Sequence, residues 1–157
     1  MSTILQRLHA MGLTLPKPAA PVANYVSCRR HGGVVIVSGQ ICLGPDGRLG
    51  VEHTGKLGQT VSVERGVEAA RLCALNVIAQ VGRMVGDLDR PDLTCLRLGG
   101  FINAAPDFAG VATVMNGASD LIVELMGEKG RHARSTVGVA VLPLDAAVEV
   151  EATFGIE

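Results

Sequence analysis

The residues best suited to chemistry lie near the C-terminal end of the chain, where Arg134 is followed by two carboxylates, Glu149 and Glu151. Valine at every second position predicts strands over 135–141 and 147–152, and the proline-containing turn between them predicts a hairpin or another close pairing. If the valine faces of the two strands coincide, the arginine and both glutamates share the opposite face of the sheet. A guanidinium can bind a planar anion through two parallel hydrogen bonds, while a carboxylate can orient a water molecule.

The same predicted face carries the small residues Thr136, Gly138 and Ala140, which would let a ligand or a second chain approach the backbone closely. A solvated cross-strand ion pair is the alternative interpretation of an arginine opposite two glutamates, and on pattern alone it is the more common outcome. Spacing therefore leaves a binding site and a surface ion pair both open.

Composition narrows the classes of function. The 157 residues, 48% of them hydrophobic, predict a single domain over 1–157, with a helical extension and a proline-rich lead-in over 1–17. A net charge of −1, 3% aromatic residues and the absence of a long apolar run give no support for nucleic-acid binding or a membrane span. Four separated cysteines without a signal-peptide pattern favour reduced thiols in a cytoplasmic protein. No histidine has a second ligand at metal-binding spacing, so no metal site is expected.

Periodicity predicts the other elements of the fold. Helical spacing of apolar residues covers 2–11, 62–85 and 108–125, and strand patterns cover 22–28, 34–38 and 93–102. After the N-terminal helix this order predicts an α+β fold, with two helices on one face of a mainly antiparallel sheet. The Arg134 face is expected to lie uncovered by helices. Because no segment of the chain remains to pack there, a second copy is the expected cover.

Residues 132–152, HARSTVGVAVLPLDAAVEVEA, resemble the signature of the RidA/YjgF family, once called the L-PSP endoribonuclease family. The pattern A-R-S-x-V-x-V-x-x-L-P followed by E-x-E-A is present, and NYV at 24–26 and SGQI at 38–41 match two upstream blocks. The resemblance extends over about residues 18–155. It implies a chorismate-mutase-like fold, a homotrimer and sites in the clefts between neighbouring subunits.

For function, the resemblance implies hydrolysis of reactive 2-imino or enamine acids to 2-oxo acids and ammonia, with neither metal nor cofactor. Arg134 would bind the substrate carboxylate, and Glu149 would position the attacking water. The residues that would line the pocket are Tyr25, Ser38, Gly39, Asn116 and Thr136. Thr136 stands where many members have cysteine, so the activity depends on whether that position acts through its backbone or through a thiol.

Three other functions stay open at the level of sequence. A ribonuclease or translation inhibitor, as the older family name suggests, would need a basic surface that this composition lacks. A non-enzymatic module that binds small carboxylates such as 2-oxo acids would differ from the enzyme only in the placement of Glu149. A hydrolase for another carboxylated enamine or a carbamate-like substrate would use the same residues.

Overall fold

A five-stranded sheet with helices on one face organises residues 2–157, the part of the chain that the computed structural model describes. In chain order the elements are α1 (Ile4–Ala10), β1 (Cys28–His31), β2 (Val34–Ile41), α2 (Val63–Val85), β3 (Thr94–Asn103), α3 (Val111–Met126), β4 (Ala133–Val139) and β5 (Val148–Gly155). The fold is α+β, as the sequence predicts. The strand predicted over 22–28 is the exception, since pairing begins only at Cys28 and the preceding residues are irregular.

The helical layer follows from start signals and apolar stripes in the sequence. The Ser62 hydroxyl accepts a hydrogen bond from the backbone N–H of Arg65 and caps α2. α2 packs on β2 and β5, and α3 packs on β3 and β4, so their apolar faces form the core against one side of the sheet. Gly117 lets the two helices approach closely, because a Cβ there would collide with the Val67 carbonyl. None of the helices within residues 2–157 has the length and apolarity that a membrane crossing requires.

The N-terminal helix is fixed to the end of this layer by specific contacts. Thr3 and Gln6 form a capping box, in which each side chain accepts a hydrogen bond from the other residue's backbone N–H. Asp89 accepts a hydrogen bond from the backbone N–H of Ile4, and Arg7 donates to the Leu125 carbonyl at the end of α3. α1 therefore closes the end of the core that is formed by the loop before β3 and the C-terminus of α3.

The strand order is β1-β2-β5-β3-β4, with β3 and β4 parallel and all other neighbours antiparallel. The prediction that the two valine-rich strands form a hairpin or pair closely is wrong, because β3 lies between them. The physical reason is that β3, α3 and β4 form one crossover unit, which returns the chain parallel to the strand it left. The next connection must then pass over the end of β3 to place β5 on the other side.

Polar side chains hold that connection in place. Asn103, the last residue of β3, donates from its amide to Asp145 Oδ1 at 2.8 Å and accepts from Lys56 Nζ at 2.6 Å. The Lys56 ammonium also donates to the Ala140 carbonyl. Leu144 and Asp145 both have a φ of 57°, a backbone conformation that is uncommon for residues other than glycine and is less rare for aspartate than for leucine. These contacts fix the turn that carries the chain across β3.

Register determines which side chains share a face. Phe101 of β3 is the partner of both Val137 in β4 and Glu149 in β5, so these three side chains project from the face without helices. Arg134 lies an odd number of positions from Val137 and therefore projects from the face that the helices cover. The prediction that Arg134 shares a face with Glu149 and Glu151 is wrong.

The expectation that the Arg134 face is uncovered is wrong for the same reason. The uncovered face instead carries Glu149 and Glu151, together with the exposed apolar side chains Val34, Ile36 and Val137. Arg134 lies on the helix side of the outermost strand, beside α3.

Candidate functional site

The predicted arginine is held against α3 by two hydrogen bonds. Nη1 of Arg134 donates to Asn116 Oδ1 at 2.9 Å and to Ser119 Oγ at 3.1 Å. Asn116 and Ser119 are three positions apart, so they lie on the same face of the helix, and that face looks toward β4. Within residues 2–157 the guanidinium has no other hydrogen-bond or ion-pair partner. Its Nε–H and Nη2–H groups, which together form one edge of the fork, are available for a carboxylate.

Ser119 is in turn connected to a histidine. Its Oγ lies 3.0 Å from His132 Nε2, and His132 Nδ1 lies 2.6 Å from the Gly130 carbonyl oxygen. Sequence reasoning assigned no role to Ser119 or His132. The signal was present in the spacing, because Ser119 follows Asn116 by almost one helical turn and His132 precedes Arg134 by one strand period.

Thr136 and Gly138 continue the strand face that begins at Arg134. The Thr136 Oγ1 atom is buried and has no hydrogen-bond partner within the described chain. Beside it, Gly100 gives room for the Met115 sulfur, with which a Cβ at that position would collide. A Cβ on Gly138 would meet only Ala104 and Val111, at ordinary contact distances of 3.6 and 3.7 Å. The side chains that follow the arginine on this strand face are therefore small, and the Thr136 hydroxyl oxygen is buried.

The predicted base lies on β5, on the other face of the sheet. Glu149 is partly buried, and its carboxylate occupies the space above Gly39, where any Cβ would collide with it. Gly39 sits in an irregularity of β2 between Val37 and Gln40, which shifts the pairing with β5. Burial first, and then the negative charge of Glu151, raise the pKa of the Glu149 carboxyl. No donor pairs with this carboxylate among residues 2–157.

Glu151 behaves differently, although it is only two positions away. Its carboxylate lies over Gly99 and accepts a hydrogen bond from Arg97 Nη1 at 2.9 Å. Both side chains are about 40–45% exposed, so this is a surface ion pair whose contribution to stability is small. The alternative of an ion pair between Arg134 and the two glutamates is therefore wrong, because Glu151 pairs with Arg97 and Arg134 contacts α3.

The remaining predicted residues, Ser38 and Tyr25, belong to the part of the chain next to Gly39, the glycine over which the Glu149 carboxylate lies. The Ser38 hydroxyl donates to the Val26 carbonyl at 2.8 Å, and the Ser38 backbone N–H donates to the Ser27 carbonyl at 3.0 Å. These bonds tie the segment that carries Tyr25, which is 50% exposed, to the irregular part of β2. Tyr25 and Ser38 therefore belong to the same edge of the molecule as Gly39.

The seven predicted residues consequently form two groups. We call Arg134, Asn116 and Thr136 the arginine half, and Tyr25, Ser38, Gly39 and Glu149 the glutamate half. β3 lies between β4 and β5, so these two strands are two strand spacings, or about 10 Å, apart. The two halves also use opposite faces of the sheet. One protomer does not bring the two halves into a common pocket.

Comparison with known proteins gives one family for this architecture. The family model described as "YjgF/chorismate mutase-like, putative endoribonuclease" matches residues 5–153. Protein TCP17 of Trypanosoma cruzi is 46% identical over 150 residues, which are 95% of this chain and 91% of that protein. A solved protein of unknown function from Agrobacterium tumefaciens is 41% identical with a TM-score of 0.90, covering 98% of this chain and 92% of that one.

A more distant solved relative is TdcF of E. coli with bound serine. It is 26% identical to this chain with a TM-score of 0.64, and the match covers 92% of this chain and 95% of TdcF. The fold class and the resemblance to RidA/YjgF proteins that the sequence predicts are confirmed.

Proposed function

The chain belongs to the YjgF/chorismate mutase-like family, and on that basis we propose that it is an enzyme that hydrolyses reactive 2-imino or enamine acids to 2-oxo acids and ammonia. The observation that carries the proposal is the complementarity of the two halves. One holds an arginine with a free bidentate edge, and the other holds an unpaired, partly buried carboxylate. TdcF, a relative whose structure contains serine, is a member of this fold that accepts a small amino acid and thus a carboxylate.

The proposed site is shared between two copies of the chain, because each copy presents both halves in different places. The face without helices supports such an assembly, since Val34, Ile36 and Val137 are between 38% and 55% exposed there and a neighbouring sheet would bury them. A closed ring repeats the same contact at each interface, so every cleft would receive one arginine half and one glutamate half. A homotrimer is the assembly that the resemblance implies.

In the proposed reaction, the Nε–H and Nη2–H groups of Arg134 bind the substrate carboxylate and orient the adjacent carbon–nitrogen double bond. Glu149 accepts a proton from water as the water oxygen bonds to that carbon. The proton then passes to the nitrogen and gives a tetrahedral carbinolamine. Glu149 next takes the proton of the new hydroxyl group and passes it to the same nitrogen. As the carbon–oxygen double bond forms, the carbon–nitrogen bond breaks and releases a 2-oxo acid and ammonia. A carboxyl whose pKa is raised is a better proton acceptor than an ordinary one, which suits a general base.

Thr136 at the position where many relatives have cysteine fits this scheme only if no thiol is needed. Its Oγ1 atom is buried and therefore not exposed at the surface beside Arg134. The proposal therefore assigns no chemical step to the Thr136 side chain.

The decisive experiment combines an activity assay with subunit mixing. Imino acids are generated freshly by an amino-acid oxidase, and ammonia release is followed with and without the protein. Arg134→Ala and Glu149→Gln proteins are each expected to be inactive, and their mixed oligomers are expected to regain activity in about one cleft of three, where both halves are intact. Absence of ammonia release by the wild type would refute the activity. Wild-type activity without recovery in mixed oligomers would refute the shared site.

A second function, binding of small carboxylates without catalysis, is favoured by one observation. The arginine half is already hydrogen-bonded and oriented within a single chain, whereas the glutamate half is not near it. The ammonia assay, combined with calorimetry using 2-oxobutyrate, separates the two functions, because a binding module would take up the ligand and release no ammonia from imino acids. An endoribonuclease, as in the family's description, would instead degrade RNA in an Arg134-dependent manner.

A further inference from the structure

We propose that Ser119 and His132 are positioning residues for Arg134, which fix its guanidinium so that the free edge faces the ligand. This inference rests on the proposed function for its consequence in binding, but its structural content concerns the arginine alone. Neither residue was predicted, and neither belongs to the seven residues of the two halves.

The Gly130 carbonyl determines the direction of the hydrogen bonds that run through His132 to Ser119. A carbonyl oxygen can only accept, so the 2.6 Å contact with the Gly130 oxygen places the hydrogen of a neutral imidazole on His132 Nδ1. Nε2 then carries a lone pair, and the Ser119 hydroxyl donates its only hydrogen to it at 3.0 Å. The oxygen of Ser119 keeps its lone pairs for Arg134.

The position of the Gly130 carbonyl is fixed by close packing of this glycine against α3. Gly130 ends a short helical turn, Gly127–Gly130, and a Cβ at Gly130 would lie 2.5 Å from the Ile122 carbonyl oxygen of α3. Only glycine allows the chain to approach α3 this closely before β4 begins. The imidazole is therefore oriented by a part of the backbone that packs directly on the helix carrying Ser119.

As a result, both hydrogens at one end of the Arg134 guanidinium, on Nη1, are hydrogen-bonded. Nη1 has two hydrogens and two acceptors, Asn116 Oδ1 at 2.9 Å and Ser119 Oγ at 3.1 Å. Bonding both hydrogens restricts rotation of the planar group and keeps the Nε–H and Nη2–H edge pointing away from α3. If His132 were absent, the Ser119 hydroxyl could turn its hydrogen toward Asn116 Oδ1 and compete with the arginine for that acceptor.

An arginine side chain on an exposed strand has considerable rotational freedom, and a ligand must remove that freedom when it binds. Ordering the guanidinium in advance lowers this cost, and one such side chain accounts for about a three- to tenfold difference in affinity. The effect belongs to binding and not to the chemical step. We therefore expect it in the dissociation constant and in KM, with little change in kcat.

The test uses four variants in the full-length protein. Ser119→Ala removes the acceptor, Ser119→Thr keeps a hydroxyl, and His132→Phe keeps a ring without nitrogen atoms. Ser135→Ala is the matched control, because Ser135 follows Arg134 directly, is exposed, and projects from the other face of β4. The readouts are the ¹⁵N order parameter of the Arg134 Nε–H group without ligand, the calorimetric dissociation constant for 2-oxobutyrate, and the separate values of kcat and KM.

Ser119→Ala and His132→Phe are expected to lower the Nε–H order parameter and to weaken 2-oxobutyrate binding about three- to tenfold. Ser119→Thr and Ser135→Ala should stay close to wild type. An unchanged order parameter in Ser119→Ala would overturn the inference, whatever the activity. If the order parameter falls but the wild type binds no 2-oxo acid, the positioning is supported and the proposed carboxylate-binding function fails, so the two failures are distinguishable.

Discussion

The two halves of the candidate site prepare their charged groups in opposite ways. Arg134 is partly satisfied, since Asn116 and Ser119 occupy one end of the guanidinium and leave the other end open. Glu149 is left unsatisfied, because a glycine opposite it provides space but no donor. A cation that must grip a ligand gains from being oriented, whereas a carboxylate that must take a proton gains from having no competing donor.

The difference also appears in the energetics of each half. Hydrogen bonds to a charged group stabilise the folded chain, so the arginine half is compatible with stability. Partial burial of Glu149 raises its pKa, which means that the folded state disfavours the ionised form. Since the folded pKa lies above the unfolded value, this penalty appears as pH rises through the interval between them and persists at higher pH. Stability therefore does not explain the glutamate half, whereas the proposed function does.

Replacing the base is expected to have the largest effect. Glu149→Gln removes the proton acceptor but keeps the side-chain shape, so turnover should fall by about 10²- to 10⁴-fold while 2-oxobutyrate still binds. Ammonia release and calorimetry on the same preparation measure the two properties. The melting temperature at neutral pH should not fall, because a neutral amide avoids the cost of a partly buried charge. Unimpaired turnover would transfer the role of base to another group.

Replacing Arg134 by a residue of the same charge but different geometry is expected to have the next largest effect. Arg134→Lys cannot present two parallel N–H groups, and it also loses the paired contacts with Asn116 and Ser119. Affinity for 2-oxobutyrate should fall by about 10- to 100-fold. Equal affinities of the two proteins in calorimetry would show that a positive charge alone is sufficient and that the fork plays no part.

Two glycines allow the halves to be compared directly. Gly39→Ala places a methyl group where the Glu149 carboxylate lies, and the flexible glutamate must move away. Gly138→Ala, on the strand that carries the arginine half, adds a methyl group with only ordinary contacts. We expect at least about a tenfold loss of kcat for Gly39→Ala, because a displaced base acts poorly, and little change for Gly138→Ala. Similar kinetics of the two variants would mean that the Glu149 position above Gly39 does not matter for turnover.

The sequence predicts the helices and strands more completely than it predicts which strands are adjacent in the sheet. Ser62 correctly marks the start of α2, and valine alternation correctly predicts that β4 and β5 are strands. Alternation says nothing about which strands are adjacent, so the short turn before β5 predicts a hairpin that the structure does not form. The order strand, helix, strand from β3 to β4 contains the missing information, since a helical crossover returns the chain parallel to its starting strand.

The error in pairing concerns the geometry that the sequence predicts for the site. Arg134 is paired with Leu98 of β3, whereas Glu149 is paired with Phe101, an odd number of positions away. The two side chains therefore project from opposite faces, and local periodicity cannot reveal this register. Asn116 was proposed from the resemblance, and the structure places it against Arg134. The space that Gly39 leaves for Glu149 depends on an irregular pairing between distant strands, which no local pattern indicates.

The smallest expected effect concerns the second cause of the raised Glu149 pKa, the neighbouring charge of Glu151. Glu151→Gln removes that charge but leaves the burial of Glu149, so the pKa of Glu149 should fall toward its ordinary range without reaching it. A base must be ionised to act, and activity is lost as pH drops through its pKa. The acid side of the kcat/KM profile should therefore move to lower pH in this variant.

Arg97→Gln is the matched control, because it breaks the same surface ion pair and leaves the negative charge of Glu151 in place. Its acid limb should not move to lower pH, since an unpaired Glu151 still disfavours ionisation of Glu149. Opposite behaviour of the two variants would identify Glu149 as the group that titrates. An acid limb that stays fixed in Glu151→Gln, with the fold intact by circular dichroism, would contradict Glu149 as the base and leave the glutamate half as a feature of packing.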